Sequence, residues 1–113
     1  MTVHADLPPY LNAIKKSIED GYKYPLNEEK LARQAGVSLS KLQHDFKSYY
    51  CSSLKDFQVS IRIRVAKELL RCNWQYSIKR IAIEVGYKSG ESFANVFKKI
   101  TGITPSHFRD NAM

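Results

Sequence analysis

The residues of this 113-residue chain that could do covalent or metal chemistry are not arranged to do it. His44 and Cys51 look like a base and a nucleophile, yet seven residues along one helix put about 10.5 Å of rise between them, beyond hydrogen-bond reach. Cys51 and Cys72 are the only cysteines; they form no C-x-x-C pair and have no neighbouring histidine pair to complete a zinc site, so they read as core or incidental thiols. The acids Glu28 and Glu29 fall at a helix start, where the positive end of the helix dipole favours them without any catalytic role. No enzyme activity, metal or cofactor is expected. What remains is the chemistry of recognition. Ser40, Lys41, Gln43, His44 and Lys47 recur on the polar side of one predicted helix, and Gly90, Glu91, Ala94, Asn95 and Lys98 on that of another.

The elements that must carry those faces can be read from spacing and caps. In residues 77–109, Ile78, Ile81, Ala82 and Val85 share one face of a short helix, Gly86 and Tyr87 break it, and Ser89 caps a second helix, Gly90–Thr101, with Phe93, Val96 and Phe97 inward. This is a helix-turn-helix pattern, whose second helix could present its outer face to a DNA major groove. The pattern occurs twice. At an offset of 50, Asn27, Leu31, Ala32, Ala35 and Gly36 correspond to Ser77, Ile81, Ala82, Val85 and Gly86; at an offset of 51, Ser38, Leu42, Phe46 and Lys47 correspond to Ser89, Phe93, Phe97 and Lys98. The match continues through Ser53 with Thr104 and Phe57 with Phe108. Caps, turn glycine and inward aromatics agree, so two copies of one unit are present.

Between the copies, residues 53–71 lack Pro and Gly, and Phe57, Ile61, Ala66, Leu69 and Leu70 recur at near-helical spacing. Such a connector would span roughly 28 Å, the right order to hold two reading heads one turn of B-DNA, about 34 Å, apart. Residues 59–65 also alternate apolar and polar like a strand, but the flanking Leu, Lys, Glu and Ala favour helix. Upstream, Leu7-Pro8-Pro9 starts a supporting helix with Leu11, Ile14 and Ile18 inward, Tyr22 continuing their spacing and Gly21 as its stop. Trp74, in the link before Ser77, reads as a packing residue in preference to a binding platform. Thr104-Pro105 starts a short last helix, followed by a frayed tail.

Composition bounds the partners. The formal charge is +7 and the pI about 9.5, which points to a polyanion without separating nucleic acid from membrane surface. The later half carries most of it: residues 1–53 hold seven Lys and Arg against six acids, residues 54–113 eleven against five. Apolar runs fall short of the ~20 residues of a membrane span, and the first ten residues lack a secretory pattern. A cytoplasmic location with no membrane partner is expected.

On these residues the chain resembles the DNA-binding domain of the AraC/XylS family of bacterial transcription regulators. The resemblance rests on Ile81-Ala82, Val85-Gly86-Tyr87, Phe93, Phe97-Lys98-Lys99, Gly102, Thr104-Pro105-Ser106 and Phe108-Arg109, with weaker support from Leu31-Ala32, Ser38, Leu42, Phe46-Lys47, Arg62, Ala66 and Leu69-Leu70. It implies an all-α fold of seven helices, with one helix-turn-helix subdomain over residues 8–52, a linker helix over 53–72 and a second subdomain over 77–110. It further implies sequence-specific binding of double-stranded DNA on one face, at the bacterial nucleoid. Contact with RNA polymerase, usually in activation, follows from the same likeness, as does an effector-binding or receiver portion in a longer parent chain.

The position of residues in the family pattern makes Ser40, Gln43 and His44 base readers on the first recognition helix, and Glu91, Ala94 and Asn95 on the second. Gln43 suits adenine, His44 can donate to guanine, Glu91 can accept from cytosine and Ala94 can touch a thymine methyl. Asn95 stands where many relatives have arginine, so the second unit is expected to anchor more than it reads. Phosphate contacts are expected from helix starts near Ser38, Ser89 and Thr104, and from Lys47, Lys98, Lys99 and Lys88. Arg62 is expected either on a phosphate or on an internal carboxylate or carbonyl. Cys51 stands where the second copy has Gly102, so either the first recognition helix ends differently or strain is stored there. A protein-interaction module using the basic linker face or Tyr49-Tyr50 is the competing reading.

Overall fold

The computed structural model describes residues 7–111; of the tail expected to fray, Asn111 to Met113, Asn111 is instead helical and the rest lies outside that range, as do most of the first ten residues with their lack of a secretory pattern. The described residues form seven helices and no strand: α1 (Pro9–Asp20), α2 (Glu28–Ala35), α3 (Leu39–Tyr50), α4 (Leu54–Cys72), α5 (Ile78–Glu84), α6 (Gly90–Thr101) and α7 (Pro105–Asn111). The chain divides into two compact units, one up to Val59 and one from Ser60 onward, with the division falling inside α4.

Side-chain caps start the helices where the sequence places them. Asn27, Ser38, Ser77 and Ser89 accept the N–H of Lys30, Lys41, Arg80 and Ser92 at 3.0 to 3.1 Å, each satisfying a donor that the first helical turn leaves free. Ser53 and Thr104 do the same for Asp56 and His107 ahead of α4 and α7. The inter-helix turns repeat as well. Gly36 (φ +72°) and Gly86 (φ +103°) enter the left-handed region. Beside them Val37 donates to the Ala32 carbonyl and Tyr87 to that of Ala82, the arrangement that seals a helix C-terminus at a glycine.

In the first unit Leu11, Ile14 and Ile18 of α1 are buried, as are Ala32, Leu42, Phe46 and Leu54, with the Phe46 and Phe57 rings edge to face at 5.5 Å. In the second unit Ile81, Ala82, Val85, Phe93, Phe97 and Pro105 are buried, and Phe97 meets Phe108 edge to face at the same 5.5 Å. The matched positions therefore share a ring geometry as well as a residue type. The alternating segment 59–65 is helical: Ile61, Arg62 and Ile63 are all buried, which a two-residue period would not produce.

Two expectations resolve differently. Cys51 ends α3 in the left-handed region (φ +57°) as Gly102 (φ +88°) ends α6, so of the two alternatives it is strain that the structure contains, of order 1 kcal/mol for a residue with a Cβ. Trp74 does not pack as a core residue: in the short α4–α5 link it is 71% exposed.

Candidate nucleic-acid interface

The outer face of α3 carries Ser40, Gln43, His44 and Lys47, all exposed, behind the N-cap Ser38. Two side chains of this helix are engaged by acids. Lys41 Nζ lies 3.1 Å from Asp45, and Gln43 Nε2 donates to Glu28 Oε1 at 2.9 Å. On α6, Glu91, Asn95, Lys98 and Lys99 are exposed and Ala94 is half-buried. The start of α6 packs closely on α5: a Cβ built on Gly90 would stand 3.7 Å from the Lys79 Cα. Each unit thus gathers its own share of the expected residues at one recognition helix. Thr104 stands ahead of the seven-residue α7, its hydroxyl accepting the His107 N–H as those of Ser38 and Ser89 accept Lys41 and Ser92.

Arg62 is drawn inward. It is 9% exposed, with its guanidinium carbon 5.0 Å from the centre of the Tyr87 ring.

Sequence reasoning passed over three residues that hold these helices. Asp45 lies on the inner side of α3 and is only 8% exposed; it accepts the Tyr10 hydroxyl at 2.6 Å, tying the recognition helix to α1. Its signal was present, since Leu42, Asp45 and Phe46 follow the i, i+3, i+4 spacing of an inner face and a buried acid needs a partner. Arg109, seen only as part of a motif, donates to the carbonyls of Leu70 (3.3 Å), Tyr76 (2.7 Å) and Asn73 (3.2 Å) around the end of α4. Lys79 stands beside the start of α6 where the first unit has Glu29, adding a cation to the second unit only.

The Tyr10 hydrogen bond and the Lys41 ammonium hold the Asp45 carboxyl below its ordinary range, against the opposing effect of burial; burial and then Asp45 push the Tyr10 hydroxyl up. A depressed carboxylate contributes stability that is present above its unfolded pKa, about 3.9, and is lost as pH falls through the folded value. Asp45→Asn, which leaves Tyr10 a neutral acceptor, is therefore expected to lower the urea-unfolding stability of the first unit at neutral pH by about 1 kcal/mol, the difference between a hydrogen bond to a charged and to a neutral group. It is also expected to flatten the loss of stability below pH 4. An acid profile in Asp45→Asn identical to that of the wild type would show that the pair contributes nothing.

Two capped helix pairs, each with a polar helix face backed by an aromatic core, define a tandem helix-turn-helix protein. A helix-turn-helix domain family matches residues 31–111. The chain is 34% identical over 101 residues to the HTH-type transcriptional regulator GlxA of Rhizobium meliloti, covering 89% of this chain and 31% of that protein. It is 32% identical over 92 residues to the regulatory protein SoxS of Escherichia coli K12, covering 81% of this chain and 85% of that one. The C-terminal domain of AraT, a response regulator from Geobacillus stearothermophilus, superposes with a TM-score of 0.85 at 28% identity, over 93% of this chain and 87% of that one. The chain thus spans about a third of the length of GlxA and most of SoxS. It belongs to the AraC/XylS family of helix-turn-helix transcription regulators, and its family and fold are those of DNA-binding regulators, not of enzymes. Among the described residues no helix is long and apolar enough to cross a membrane.

Proposed function

We propose that this chain binds double-stranded DNA sequence-specifically, setting α3 and α6 into successive major-groove segments on one face, and that it activates transcription through contact with RNA polymerase in the bacterial cytoplasm. The observation that carries the reading is the repeat: the same capped helix, backed by the same edge-to-face phenylalanine pair, presents a polar face twice. The 19 residues of α4 make it the proposed connector, its rise of about 28 Å being comparable with a turn of DNA.

The two faces differ in their chemistry. Ser40, Gln43 and His44 offer hydroxyl, amide and imidazole groups for base edges, whereas Glu91, Ala94 and Asn95 offer fewer donors. Phosphates are assigned to Lys47, Lys98 and Lys99 and to the helix starts at Ser38 and Ser89, where free N–H groups and the helix dipole favour an anion. The first unit then carries most of the sequence choice and the second most of the anchoring, in keeping with the uneven charge.

Selection of duplexes from a randomised pool, followed by footprinting, tests the whole reading. Enrichment of a site protected over two adjacent major-groove segments is expected; equal binding to every duplex would defeat it. On the recovered site, Gln43→Ala is expected to relax preference at one base pair. Lys98→Ala is expected to weaken every duplex alike and lower the slope of log K against log salt by about 0.9, the value for one lost phosphate contact. Equal loss on specific and random DNA for Gln43→Ala would remove it from the reading head.

A further inference from the structure

We propose that Glu28 is a specificity-determining positioning residue, which orients the amide of Gln43 so that this side chain accepts adenine and rejects guanine. The inference rests on the reading of Gln43 as a base reader. Glu28 stands in the first turn of α2, fifteen residues from Gln43, and takes a hydrogen bond from its Nε2 at 2.9 Å. A carboxylate only accepts, so the amide can meet it through nitrogen alone. That bond leaves Gln43 with its oxygen acceptor and one remaining N–H. Adenine shows a donor, N6–H, beside an acceptor, N7, and matches this pair. Guanine shows two acceptors, O6 and N7, for which an amide held in this way has a single donor and an opposed oxygen. An untethered glutamine would be free to turn its NH2 group toward both.

The second copy of the unit supports the pairing independently. At the offsets of the repeat, Glu28 corresponds to Ile78 and Gln43 to Ala94, so both polar partners are exchanged together for apolar residues. The bond also runs against affinity, because a carboxylate beside a reading helix repels phosphate. Water competes for the Glu28–Gln43 bond in the free protein, and DNA lying over α3 would exclude that water and strengthen the bond.

Two substitutions separate the hydrogen bond from the charge. Glu28→Asp keeps the charge and its place at the helix dipole but is one methylene short of the amide. Glu28→Gln keeps the length, loses the charge and adds a donor, so it meets Gln43 through either end of its amide. The probes are duplexes recovered from the random pool, with each of the four bases placed at the position that Gln43→Ala makes indifferent. For Glu28→Asp the adenine-over-guanine ratio is expected to fall about 5-fold or more, the lower end of what a bidentate pair contributes, with the salt slope unchanged. Glu28→Gln is expected to bind all duplexes more tightly and to lose part of the ratio, since its amide can also donate to the Gln43 oxygen and so hold that side chain either way round. The double variant Glu28→Asp with Gln43→Ala is expected to match Gln43→Ala alone. A wild-type ratio in Glu28→Asp, while Gln43→Ala has lost its preference, would overturn this inference and leave the reading of Gln43 standing. So would a fall in the ratio that Glu28→Asp produces equally when Gln43 is absent. No change of preference at any position in Gln43→Ala would overturn both.

Discussion

Ala66→Glu is expected to unfold the second unit or leave it with a small residual stability, seen as loss of the cooperative circular-dichroism melt and of duplex binding together. Ala66 sits on α4 with no exposed surface. A glutamate there must fit a much longer side chain into a packed site and bury a carboxylate inside it. Overpacking costs about 1–3 kcal/mol, and an unpaired buried charge adds about 3–5 kcal/mol. Domains of this size hold only some 5–15 kcal/mol in total. The buried carboxylate would relieve its cost by taking up a proton, so part of the lost structure is expected to return toward mildly acid pH. Unchanged melting at neutral pH would show that the site is open to solvent.

The second large effect is expected at Arg109. Its three hydrogen bonds hold the carbonyl of Leu70 in the last turn of α4 and those of Asn73 and Tyr76 in the turn toward α5, where Asn73 also accepts the Tyr76 N–H. The guanidinium also places positive charge at a helix C-terminus, where the dipole is negative. Arg109→Ala removes all of this at once, and about 3 kcal/mol of destabilisation is expected on the scale of hydrogen bonds from a charged donor. Arg109→Lys keeps the charge but offers a compact ammonium in place of a planar fork, so it is expected to recover less than half of the loss. Urea unfolding followed by the fluorescence of Trp74 suits the test, since that residue belongs to the turn being held. Equal midpoints for wild type and Arg109→Ala would show that water replaces the fork at no cost.

Much of this architecture is legible in one dimension. Asn27, Ser38, Ser77 and Ser89 mark helix starts because a short side-chain oxygen reaches the backbone three residues on, a contact that needs nothing from the rest of the chain. Gly36, Gly86 and Gly102 mark helix ends because their conformation strains other residues. The outward placement of Ser40, Gln43, His44, Lys47, Glu91, Asn95, Lys98 and Lys99 follows from helical periodicity once those ends are known. The roles of long and charged side chains are less legible, because a flexible side chain can serve several partners within its reach. Arg62 had a phosphate and an internal carboxylate or carbonyl open to it, and the contact with the Tyr87 ring was among neither. Trp74 has the apolar bulk of a core residue, yet it stands largely exposed in the α4–α5 link.

By itself, then, the sequence determined the seven helices, their limits, the duplication and the polar face of each recognition helix, since all of these depend on contacts between residues a few positions apart. Tertiary structure decided the partners: Tyr10 on Asp45, Arg109 on the end of α4, and Glu28 on Gln43. Those pairs join residues 15 to 39 positions apart, and no local pattern specifies which side chain a fold will bring to a given hydrogen bond. The amide of Gln43 makes the difference concrete. Its place on the outer face of α3 follows from periodicity, while the direction in which it offers its donor depends on a carboxylate that only packing of α2 against α3 brings within 2.9 Å.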